Sequence, residues 1–152
     1  MILVTAYVIP HIQSRSFLDQ LGSIQSGTLW LGEHHNSKSD HQLQANLLQE
    51  LHVRRRGRKL AVGLEQIQIK FQPILDQFID GDISLQAMRR LTEYDSRWVW
   101  PFELYEPVFT TAKALGLPLI ALNVNAEDLA CVERGGLPEL PRDRLDTYIG
   151  DA

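Results

Sequence analysis

The sequence predicts an α/β fold, a parallel β-sheet core built from βαβ units with a helical insertion over about residues 67–116. Three observations predict it. First, Leu29-Trp30-Leu31, Leu60-Ala61-Val62-Gly63-Leu64 and Leu117-Pro118-Leu119-Ile120-Ala121-Leu122 are apolar runs without polar alternation, the pattern of strands buried on both faces. Second, Leu43, Leu47, Leu48 and Leu51 recur at helical spacing between the first two runs, giving a strand–helix–strand unit whose crossover is expected to be right-handed. Third, each run ends in polar side chains: Glu33-His34-His35, Glu65-Gln66 and Asn123. A parallel sheet collects such ends along one edge, where open α/β sheets place their ligands.

The elements follow in order. Residues 2–9 read as a short strand, and Ser16 to Gly22 as a brief helix closed by glycine. After the strand at 28–32, Ser39 with Gln42 fits a capping box, so a helix is expected from Asp40 to Arg56. In the insertion, Phe71, Ile74, Leu75, Phe78 and Ile79 mark one helix, stopped by Asp80-Gly81-Asp82. Ser84 caps a second that runs to Leu91. A third spans Phe102 to Leu115 and ends at Gly116, with Pro107 expected to delay its start. Ala126 to Glu133 is a short helix closed by Gly135-Gly136, and Leu137 to Ala152, rich in proline and charge, is expected to fray.

A length of 152 residues fits a single domain, 1–152, able to bury about 70% of the surface of its unfolded chain. With 44% apolar and 22% charged residues, disordered and fibrous classes are excluded. A net charge of −4 gives no footing for nucleic acid, and Arg54-Arg55-Arg56-Gly57-Arg58-Lys59 reads as cations complementing a helix C-terminus. Cys131 is the single cysteine, so neither an internal disulfide nor a thiolate metal site is expected. The apolar stretch Met1 to Pro10 lacks a positive n-region and is too short to span a bilayer, so no transmembrane segment is expected. The default is the cytoplasm, with a membrane-associated or periplasmic location if a leader has been lost.

Glu33 and His35 alternate onto one face of an extended segment, while His34 takes the other. A carboxylate and an imidazole on one face can act as a general base and its orienter. They can equally ligate a divalent metal (zinc, manganese or iron), with Glu65 as a third ligand. Taken singly, each is also an ordinary hydrogen-bonded surface residue. His52 reads as structural, continuing the stripe of the 40–56 helix. Trp98, Trp100, Phe102 and Tyr105 form an aromatic-dense stretch that either packs the core or offers a platform to a flat apolar ligand such as a porphyrin. In the latter case a tyrosine or histidine reaches the iron, Tyr94 and Tyr105 being nearest.

Leu31-Gly32-Glu33-His34-His35, His41 with Gln44, and Val62-Gly63-Leu64-Glu65 resemble the ChaN-type haem-binding uptake proteins of the Tiki superfamily. So do Gln72 with Leu75-Asp76, Gly81, Trp98 and Trp100, Tyr105-Glu106-Pro107, Leu119 to Asn123 and Gly135-Gly136-Leu137. The resemblance covers residues 16 to 140 and corresponds to the N-terminal half of the family domain. It implies haem or iron binding, with Gly32, His34, His41, Gln66, Trp98, Trp100, Tyr105 and Asn123 lining the ligand, held at the strand ends and shared between subunits. A homodimer or a missing C-terminal half would complete the site. Related hydrolases in the superfamily imply the alternative, a metal-dependent protease or esterase using Glu33, His35 and Glu65.

Overall fold

The computed structural model describes residues 2–3, 15–23, 27–54 and 59–149. Among the described residues, four strands form one all-parallel sheet in the order β2-β1-β3-β4: β1 (Ile2–Leu3), β2 (Leu29–Trp30), β3 (Val62–Gln68) and β4 (Leu119–Asn123). The α/β class and the parallel sheet expected from the apolar runs are present. Helix α1 (Arg15–Ser23) precedes β2; β1 pairs with both β2 and β3, so the unit β2–α2–β3 crosses over it, with α2 spanning Lys38–Arg54. The expected continuation of the first strand to residue 9, His11 and most of the basic cluster lie outside the described residues.

The insertion is itself the crossover between the neighbouring strands β3 and β4. It contains a 3-10 turn (Ile69–Phe71), α3 (Gln72–Asp80), α4 (Leu85–Leu91), α5 (Tyr94–Arg97) and α6 (Phe102–Ala114). Ser84 Oγ accepts from the Ala87 N–H at 3.1 Å, the expected N-cap of α4. Gly81, at φ 91°, ends α3 in the left-handed conformation that glycine adopts without a Cβ clash. The core joins Val62, Leu64 and Ile67 of β3 to Leu48 and Leu51 of α2. Leu75, Phe78, Met88, Phe102, Val108 and Phe109 of the insertion complete it, and α2 packs mainly against α6.

Several sequence expectations are corrected. Trp30 is 64% exposed because β2 is an edge strand only two residues long, so the first apolar run is not buried on both faces. β3 continues through Gln68, which puts Glu65 and Gln66 inside the strand, beside a register shift between Leu64 and Gln68. α2 starts at Lys38 and its cap is Ser37, whose Oγ accepts from the Asp40 N–H at 3.2 Å, so Ser39 and Gln42 do not form the box. His52 is exposed rather than part of the buried stripe. Pro107 lies inside α6 without delaying it, since Phe102, Tyr105, Val108 and Phe109 hold the helix into the core on both sides of the proline. The helix expected over Ala126 to Glu133 is present as α7 (Ala126–Gly135), whereas the described part of the tail expected to fray forms a 3-10 turn (Leu137–Glu139) and α8 (Arg142–Ile149): Tyr148 and Arg144 both reach Asp128, a carboxylate only 4% exposed. No described helix is long and apolar enough to cross a membrane.

Candidate functional site: a carboxylate hub beneath a half-exposed histidine

The chain leaves β2 at Trp30 and runs extended through Leu31, Gly32, Glu33 and His34 before turning into α2. Alternation along this segment sends Glu33 inward and His34 outward, as the sequence spacing requires. The Glu33 side chain is 6% exposed and the His34 side chain 75%. His34 folds back on Asp40, which accepts from the His34 backbone N–H at 3.0 Å and lies 3.2 Å from its Nδ1. Burial opposes ionisation of Asp40, but these bonds and one from the Ser37 hydroxyl hold its carboxyl below the ordinary range.

Glu33 is a hub. Its Oε1 lies 3.0 Å from His35 Nδ1, and its Oε2 accepts a short hydrogen bond from Gln44 Nε2. His41 Nε2 sits 3.3 Å from the same Oε2, close enough to attract it but off the line of a sound hydrogen bond. His41 and Gln44 are three apart on the buried face of α2, which is why both reach one carboxylate. Burial pushes the Glu33 carboxyl up; the nearness of His41, the hydrogen bond from Gln44 and the bond from His35 outweigh it and bring the pKa to about 2.

The tautomer of His35 follows from its neighbours. An ionised carboxylate can only accept, so Nδ1 carries the proton and donates it to Glu33. The Tyr105 hydroxyl lies 3.0 Å from the same Nδ1. In the neutral imidazole the lone pair then lies on Nε2, which has no hydrogen-bond partner among the described residues, on a side chain that is 30% exposed. The ring is framed by tryptophans: Trp98 edge-on at 5.3 Å between centroids and Trp100 stacked at 5.8 Å. Val99, between them, is 84% exposed, so the histidine sits behind an apolar lip.

Below the lip, Tyr105 packs on His41 at 4.0 Å and touches Tyr94 and Trp98. Burial drives the Tyr105 phenol far above its ordinary value; contact with Trp98 eases it back, and the charges of Glu33 and Glu65 push it up again. Burial does the same to Tyr94, aided by the charges around it. Among the described residues, both ring nitrogens of His41, Trp98 Nε1 and the Tyr94 hydroxyl have no hydrogen-bond partner although buried.

The remaining expected site residues are placed as follows. Gly32 is buried in the extended segment beside the hub. Glu65 is exposed, near enough to Tyr105 for its charge to be felt but outside the contacts of Glu33 and His35. Gln66 is buried on β3, and Asn123 lies in register with Gln68; neither touches the His35 ring. Among the described residues, no three His, Cys, Asp or Glu side chains gather where a metal ion could sit, so the three-ligand set Glu33, His35 and Glu65 is not assembled. Glu65 stands apart because β3 runs on past it. Gln44 and Arg97 were not among the expected site residues. A glutamine among the buried leucines of α2 was a legible signal for the first; for the second, the partners Gln68 and Glu127 lie far from Arg97 in the sequence and left none.

A family model described as "Haem-binding uptake, Tiki superfamily, ChaN" matches residues 24–150. No match was found among curated proteins or among solved structures.

Proposed function

The chain belongs to the ChaN haem-binding uptake family of the Tiki superfamily, and from that premise we propose that it holds haem against the Trp98–Trp100 lip with His35 as the iron ligand. The observation that carries the reading is the Glu33–His35 pair. A carboxylate that takes the Nδ1 proton fixes the tautomer, orients the ring and makes the free Nε2 a better donor, the arrangement that supports metal-binding histidines generally. The exposed apolar lip suits a porphyrin face, and bound haem would supply an iron centre for carriage rather than any step of catalysis by this chain. A porphyrin has two faces and one lip covers one of them, so a second copy of the chain is the natural cover for the other. A role in iron uptake follows from the family.

Haemin titrated into the protein is expected to give a saturable Soret shift at micromolar concentration. His35→Ala should weaken binding about tenfold to a hundredfold, the range seen when an oriented metal ligand system is broken. His34→Ala, whose imidazole points to Asp40, should leave it unchanged. No shift with the wild-type chain, or equal loss in both variants, would overturn the reading.

A further inference from the structure

We propose that residues 93–101 form a strap that carries Trp98, Val99 and Trp100 over His35, and that Arg97 is the positioning residue that latches it to the sheet. Three observations outside the His35 site point to this.

The first is the guanidinium itself. Arg97 uses all three nitrogens on three different elements: Nε donates to Glu93 Oε2 at 2.6 Å, Nη1 to Gln68 Oε1 at 2.9 Å and Nη2 to Glu127 Oε1 at 2.8 Å. Those partners stand at the start of α5, the end of β3 and the first turn of α7. The acceptors are held in turn, since Glu127 also pairs with Lys70 and Gln68 Oε1 also accepts from the Ala126 N–H. A planar fork on three fixed acceptors defines a position in a way that a point charge does not.

The second is the backbone at the other end of the turn. Glu93, at φ 52° and ψ 32°, is the only described residue other than glycine with a positive φ. Such a conformation persists where the surroundings over-determine it. Here the Glu93 carbonyl accepts from the Ser96 and Arg97 N–H groups and from the Ser96 hydroxyl, while its carboxylate holds Arg97.

The third is what comes next in the chain. Trp98 follows Arg97 directly and leaves the helix in an extended conformation, and four residues later α6 begins. The lip is thus a short span fixed at both ends, and the Arg97–Gln68 bond ties it to the carboxyl end of β3. Releasing the latch frees the tryptophans from His35 without touching the Glu33 hub.

The test uses Trp30→Phe protein, in which Trp98 and Trp100 are the remaining emitters of the three tryptophans, and it rests on the haem reading only in its last step. Arg97→Ala should raise the acrylamide quenching constant of the tryptophans about twofold and speed haemin dissociation about tenfold, with the circular dichroism of the fold retained. Arg97→Lys should not restore either property, because one ammonium cannot bridge three acceptors; full rescue by lysine would overturn the latch. Should Arg97→Ala fail to fold, Glu127→Gln, which weakens one arm, is expected to give intermediate quenching. Quenching unchanged in a folded variant refutes the proposal whatever haemin does. Raised quenching with an unaltered haemin dissociation rate refutes the link between strap and site. Raised quenching in a protein whose parent binds no haemin leaves the latch standing and sinks the haem reading instead.

Discussion

At the residue scale, the site depends on one carboxylate and the side chains gathered on it. Glu33 keeps its charge under burial because His35 and Gln44 bond to it and His41 lies beside it. Its folded pKa, about 2, lies below the ordinary value of 4.5. A depressed carboxyl pKa contributes stability that is fully present above about pH 4.5 and is lost as pH falls toward about 2. From the size of the shift the contribution is about 3 kcal/mol. Glu33→Gln is therefore expected to destabilise the neutral-pH fold by about 2–3 kcal/mol and to flatten the loss of stability between pH 4.5 and 2, read by urea unfolding across pH. Equal acid sensitivity in both proteins would contradict the hub. The Glu33–His35 contact was legible from the sequence, because two-residue spacing on an extended segment puts them together. The convergence of His41 was legible only as a polar residue on a leucine stripe. The Arg97 partners Gln68, Glu93 and Glu127 were not legible, since nothing local ties 68 and 127 to 97.

At the scale of elements, helices were the more legible part. Leucine and phenylalanine periodicity marked α2, α3 and α6, and Ser84 and Gly81 marked where α4 begins and α3 ends. Strand lengths were not, because an apolar run does not disclose whether it lies at an edge or where pairing stops: β2 is cut to two residues and β3 extends past Glu65. The outer edge of β4 shows what sequence patterns cannot reveal. Gln72, at the start of α3, accepts from the Ala121 N–H and donates to the Leu119 carbonyl, both at 2.8 Å, which is how a residue on a neighbouring strand would bond. Its carboxamide thereby shields part of an open edge that would otherwise accept another strand. Gln72→Ala is expected to raise concentration-dependent association, seen by light scattering and analytical ultracentrifugation. A variant that stays as monodisperse as the wild type would remove that role. Ser84→Ala, losing the α4 cap, should cost about 1 kcal/mol in thermal or urea unfolding.

At the scale of the whole molecule, the sheet brings the end of β2 and the crossover between β3 and β4 to the same place. β2 delivers Glu33 and His35, α2 supplies His41 and Gln44, and the insertion supplies Tyr105 and the two tryptophans. Residues about seventy positions apart thus meet at one imidazole. Glu33 and His35 follow one and the same strand, so the expectation that the ends of separate strands share a rim is not carried by their contact; Glu65 and Asn123 lie outside that group, and the aromatic insertion completes the site in their place. The central claim is that His35 presents a free ring nitrogen to iron. Pulsed electron paramagnetic resonance of the haemin complex, with the histidines labelled with nitrogen-15, tests it most directly. The account predicts a strong histidine nitrogen coupling at the iron that disappears in His35→Ala, and a complex with no such coupling, or one that His35→Ala leaves intact, would contradict it.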